Sequence, residues 1–232
     1  SPVILIYSEF LSSIFFEIEL TFTFIHAFIN SILISLSTGV VVSIFGLLIS
    51  YLLVINHKNF LLQQLLFLTS SMILIISPII FSLGYFIFFQ PIIHYSSLKF
   101  FLVILINVIF LLPFAILIFF NNLKNLYLNF NDLRKTYRIE LFSYIKIIFP
   151  LLKNNFLYVF SFSTVITLGD FTIISFFRSE NFETLPSYLF KLISTYQFNE
   201  ASFVAGTILF ISMVIYFIID NFNYQGRPDI TT

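Results

Sequence analysis

Apolar positions in this chain run in long continuous blocks, not in alternation. Five blocks are long enough for a helix to cross a bilayer, which takes roughly 20 residues. They are Ala27–Ile55, Leu65–Phe89, Phe100–Phe120, Phe156–Phe177 and Phe203–Ile219, the last extended by Ala201 and Ser202. A membrane strand would alternate over about 10 residues, so helices are predicted. Pro78 with Gly84 predicts a kink in the second block, Pro113 a kink in the third, and Gly169 a loosening of the fourth. Residues 1–26 are apolar but interrupted by Glu9, Glu17 and Glu19, a pattern expected of an external, interfacial segment. Residues 222–232 form a polar tail. The pattern therefore predicts an all-α, polytopic membrane protein with about five transmembrane helices spread over residues 27–221.

Composition agrees. Of 232 residues, 59% are hydrophobic and 9% charged, and mean hydropathy is +1.03. A soluble domain carries about a quarter charged residues. The absence of Cys excludes disulfides, thiolate metal sites and cysteine nucleophiles. None of the six glycines precedes a Lys, so there is no phosphate-binding G-x-x-x-x-G-K-[ST] loop. No catalytic residue, cofactor or nucleic-acid partner is expected, and any ATP hydrolysis belongs to another chain. His26, His57 and His94 lie far apart and suggest no metal site. No charged stretch precedes a short apolar core at the N-terminus, so no signal peptide is expected.

The cations are unevenly placed. Lys58, Lys124, Arg134, Lys135, Arg138, Lys146, Lys153 and Arg227, eight of the 11, fall in one set of loops, and Lys99, Arg178 and Lys191 in the other. Excess Lys and Arg marks the cytoplasmic side. The N-terminus is thus expected outside, the C-terminus inside, and residues 121–155 in the largest cytoplasmic loop. Within it, Leu133, Tyr137, Leu141, Tyr144 and Ile148 fall on one helical stripe, off which lie Arg134, Lys135 and Arg138. A short amphipathic helix along the membrane surface is predicted. It would either rest among anionic headgroups, at about 1 kcal/mol per cation, or dock a cytosolic protein.

The order of residues in this loop resembles the cytoplasmic coupling loop of type I ABC-importer permeases (the MetI-like fold). Asp132 takes the position of that motif's leading acid, Phe142 its aromatic and Pro150 its closing proline. Leu133 and Arg134 replace its two alanines, and Arg138 its glycine. A second block, Thr167 to Phe210, resembles the C-terminal part of thiamine (thiamine pyrophosphate) ABC-transporter permeases. It contains Gly169-Asp170-Phe171, then Phe182 to Leu189, then Tyr196 and Glu200. The residues around Pro78 and Gly84 resemble the same family's second core helix.

The resemblance implies a permease subunit that moves thiamine or its phosphate esters across a bacterial inner membrane. It implies a separate cytosolic ATPase dimer, a periplasmic substrate-binding protein, and a second permease half on the same longer chain or another subunit. Iron(III)- and polyamine-type permeases are near relatives. A secondary transporter, or a membrane scaffold that moves nothing, also fits a helical membrane protein. The implied coupling residues are Asp132, Leu133, Arg134, Tyr137, Arg138, Glu140, Phe142 and Pro150. Phe182, Thr184, Pro186 and Tyr188 are implied to face the binding protein, unless they form a local plug.

Asp170 is the one acid expected inside a span, where a charge costs about 2.5–3.5 kcal/mol. With Gly169 it would face a translocation path, or else cap a helix break. Asn30 and Ser31 would line the same path, or serve interhelical hydrogen bonds together with Ser35, Ser37 and Thr38. Gly39 and Gly46, seven apart, can form a contact face.

Overall fold

A computed structural model describes the backbone of residues 2–55, 64, 75–92, 96–137, 141–179 and 182–224. Side chains are described for residues 22–54, 64, 75–91, 97–126, 152–179, 182–219 and 221. The described backbone is helical, with α1 at Pro2–Ile55, α2 at Pro78–Phe89, α3 at Ser96–Tyr137 and α4 at Leu141–Gly169. They are followed by a single turn α5 at Ile174–Phe177, then α6 at Leu185–Ser194 and α7 at Phe198–Tyr224. Within α1, α3 and α7, the stretches Phe22–Val54, Ser97–Leu126 and Phe198–Ile219 are long and apolar enough to cross a membrane, and α2 is a shorter apolar helix. The protein is an all-α, polytopic membrane protein.

Several boundaries differ from expectation. Residues 2–26 continue as helix into the first span with no break at Ala27. At 1.5 Å per residue, α1 would be about 80 Å long, far more than one crossing of a hydrocarbon core of roughly 30 Å requires. Pro78 interrupts the second span instead of kinking it. Ser77 is extended at φ −63° and ψ 130°, the conformation a following proline favours, and α2 restarts with Pro78 in its first turn. Pro113 lies inside α3, which runs on past Phe120 to Tyr137. Helix α4, over the fourth apolar block, ends at Gly169 and does not reach Phe177. The chain leaves the helix at Asp170, turns through Thr172 and Ile173, and re-enters a helical turn at Ile174.

The bundle is built around α1, which packs on both α3 and α4. Its two glycines explain how closely. A Cβ on Gly46 would stand 2.6 Å from the Ala115 Cβ on α3, and one on Gly39 would stand 2.3 Å from Thr164 Oγ1 on α4. The pair does form a contact face, but each glycine meets a different neighbour, so α1 lies in the groove between α3 and α4. Small residues allow this approach where apolar burial alone gives no preference between lipid and protein. One turn beyond Gly46, the Ser50 hydroxyl donates across to the carbonyl of Ile116 at 3.2 Å.

The contacts also fix direction. Ile34 clusters with Leu102, Val103 and Ile106, and further along both helices Gly46 meets Ala115. Helices α1 and α3 therefore run parallel. Helix α4 runs the other way, with Leu152 in the cluster that holds Val54 and Leu123, and Thr164 back at Gly39. A third cluster, Ala27, Leu185, Tyr188, Leu192, Ala201 and Val204, joins the start of the α1 span to α6 and α7.

Candidate functional site

Two regions carry the residues singled out above, and they sit at opposite ends of the bundle. At one end, α3 extends beyond its span. Leu123 is buried while Asn121, Lys124 and Asn125 are exposed, so the helix stays two-faced after the apolar block stops. Asp132, Leu133, Arg134 and Tyr137 lie on the last turns of α3, and Phe142 and Pro150 on the first turns of α4. The stripe expected on one surface helix is therefore divided between the ends of two. Arg138 and Glu140 lie outside the described residues, as do the side chains of 127–151.

At the other end, α4 stops beside Asp170. Its Oδ1 accepts from the backbone N–H of Thr172 at 2.9 Å and from the Thr172 hydroxyl, an Asx turn that redirects the chain. Its Oδ2 is buried with no hydrogen-bond partner among the described residues. Asp170 thus does what its capping role predicts, at a helix end and not within a helix. Gly169 is exposed, and a Cβ there would meet nothing within 4 Å.

The segment after α5 is pinned to α1. Asn30 Nδ2 donates to the Glu183 carbonyl at 3.0 Å, and the Leu185 N–H donates to Ser31 Oγ at 2.7 Å. Adjacent α1 side chains thus grip the backbone on both sides of Thr184. The reason is local. Leu185 opens α6, Pro186 has no N–H, and the first donors of any helix lack intrahelical acceptors. The Thr184 N–H is taken by Ser187 Oγ at 2.8 Å, which leaves Leu185 for Ser31. Asn30 and Ser31, read for a path or for packing, are engaged here in packing. Ser35 and Ser37 bond back to carbonyls of their own helix. Thr38 Oγ1 is buried without a partner among the described residues.

Phe182, Thr184, Pro186 and Tyr188 are all buried, so this end presents other side chains outward. They are Phe190, Lys191, Ile193, Tyr196 and Phe198, with Tyr196 81% exposed. Lys191 Nζ lies 3.5 Å from Glu183 Oε1. Helix α6 ends in a Schellman motif, in which the Gln197 N–H donates to the Leu192 carbonyl at 2.9 Å and the Tyr196 N–H to the Ile193 carbonyl at 3.1 Å. Tyr196 occupies the left-handed position at φ 62°, where glycine is usual.

A cleft of about 340 Å³ opens between α1, α6 and α7, lined by Phe24, Tyr188, Leu192, Asn199, Glu200, Phe203 and Val204. Apart from Tyr188 and Glu200, none of these drew attention in the sequence. The usable signal was the spacing of Asn199, Glu200, Phe203 and Val204, which puts an amide, an acid and two apolar groups on one face of a helix. Burial pushes the Tyr188 phenol above its usual pKa, against a hydrogen bond from Thr23 that lowers it, with the charges of Glu183 and Glu200 raising it further.

No family model matches the chain, and no solved structure matches it. Curated relatives do. It is 25% identical over 165 residues to the thiamine transport system permease protein ThiP of Escherichia coli (strain K12), an alignment covering 71% of this chain and 31% of the relative. It is 26% identical over 158 residues to the protein of the same name in Salmonella typhimurium, covering 68% and 30%. The Haemophilus influenzae protein of that name is 24% identical over 180 residues, covering 73% and 31%. The chain thus resembles thiamine transport permeases, as its motifs indicated, and spans about a third of the length of the relatives it matches.

Proposed function

We propose that this chain forms one half of the membrane pathway of a binding-protein-dependent importer for thiamine or its phosphate esters. The observation that carries the reading is the similarity to three thiamine transport permeases over about 70% of the chain. The fold supports it in outline, because a multi-pass helical bundle with the charged stretch at one end and a built loop at the other suits a protein served from both sides. In this reading the end holding Asp132 to Pro150 faces the cytosol of a bacterial inner membrane and couples to a separate ATPase dimer. The α6 end faces the periplasm, where a binding protein delivers the cargo. The second permease half comes from the same longer chain or from another subunit.

The test is uptake of radiolabelled thiamine by cells that lack their own permease. They receive this chain, the second half, the ATPase and the binding protein, with or without Arg138→Glu. Charge reversal at a docking contact typically costs several kcal/mol, so uptake should fall about tenfold or more while membrane levels of the chain stay constant. Unchanged uptake would remove Arg138 from the coupling surface. Retained ATPase binding with no thiamine uptake in the unmutated assembly would overturn the cargo and direct attention to iron(III) or polyamines.

A further inference from the structure

The cleft between α1, α6 and α7 combines three features. Its walls are aromatic: the Phe24 ring lies 6.3 Å from Tyr188 and 5.9 Å from Phe203, centroid to centroid, both tilted. Its floor is the buried pair Leu192 and Val204. Its rim carries Asn199 and Glu200, both exposed. The two nearby acids differ. Glu183 is paired with Lys191, whereas Glu200 has no ion-pair partner among the described residues. Glu200 thus places a carboxylate at the rim beside the rings. Ring faces are themselves negative, so carboxylate and rings favour the same ligand sign.

We propose that this cleft binds an organic cation with a flat apolar body, its ring against Phe24, Tyr188 and Phe203 and its charge at Glu200. The volume suits one ring-bearing molecule and lies at the small end for ligand sites. Neutral aromatics would gain the rings without the charge, and small inorganic cations the charge without the rings. A lipid amine headgroup offers part of the same chemistry. Thiamine is itself a cation of this class, so the inference rests on the function proposed above for its natural ligand and adds where such a ligand would bind.

The probe is benzyltrimethylammonium, titrated by calorimetry into the full chain in phosphatidylglycerol nanodiscs, with empty discs as blank. Tetramethylammonium and benzamide serve as half-probes. Saturable binding is expected, with each half-probe about three- to tenfold weaker, the scale of a partly exposed cation–π contact. Glu200→Gln and Phe203→Leu should each weaken it by a similar factor, and Phe210→Leu on the exposed face of α7 should not. Equal binding of benzamide, no saturable binding above the blank, or no loss in Glu200→Gln would each overturn the proposal. Because this readout needs neither thiamine nor ATPase, failed uptake and failed binding are separate results.

Discussion

Helices α3 and α7 are both apolar enough to span a membrane, yet 50% of the α3 window is buried within the protein and 11% of the α7 window. Their glycine contacts show why. Ala115 of α3 receives the backbone of α1 at Gly46, with no room for a methyl group between them. Gly206 of α7 has nothing within 4 Å of where its Cβ would stand. Phe203, Leu209, Phe210, Met213, Tyr216 and Phe217 of α7 remain exposed. Hydropathy decides that a helix lies in the membrane. Which helix it then touches depends on small residues that let backbones approach and on a few side-chain hydrogen bonds. The exposed face of α7 is left free to meet lipid.

The largest effect should come from filling the close contact. Gly46→Leu forces α1 away from α3 and should lower stability by about 3 kcal/mol, the upper range for overpacking, whereas Gly206→Leu should be close to neutral. Thermal unfolding in detergent compares the two, and equal losses would mean that the contrast between α3 and α7 is not one of packing. A smaller effect is expected at the turn between α6 and α7. Replacing Tyr196 by Gly relieves a left-handed tyrosine at little packing cost, since the ring is exposed, and should raise stability by up to about 1 kcal/mol. A fall in the unfolding temperature would show that the Tyr196 ring makes a contact worth more than the strain.

Much of the architecture was legible in the sequence because bilayer thickness imposes a length on apolar blocks. The spans at Phe22–Val54, Ser97–Leu126 and Phe198–Ile219 lie close to the predicted ones. Their ends were less legible. Once the apolar block stopped at Phe120 a loop was expected, but α3 continues, with Leu123 still packed in the core. Asp170 was expected within a fourth helix running to Phe177, whereas α4 ends at Gly169. Seen at a helix end, it caps a turn.

The candidate site was legible in its residues but not in their partnership. Asn30 and Ser31 stood out as polar groups in a span, and the segment from Phe182 to Leu189 stood out by resemblance. That they bind each other across 153 and 154 residues is a tertiary fact that no local pattern encodes. Burial of Phe182 and Tyr188 was hidden for the same reason, since an aromatic in a loop looks identical whether it faces inward or outward.

Helix α1 holds the loop at the start of α6 through Ser31. Hydrogen exchange of the Leu185 amide, in nanodiscs, tests it directly. The amide should be strongly protected in the unmutated chain. In Ser31→Ala, an unsatisfied buried donor costs about 1–3 kcal/mol, so exchange there should speed up by about 5- to 150-fold while amides in the middle of α3 stay unchanged. A Leu185 amide that exchanges freely in the unmutated chain, or that is unaffected by Ser31→Ala, would contradict the account.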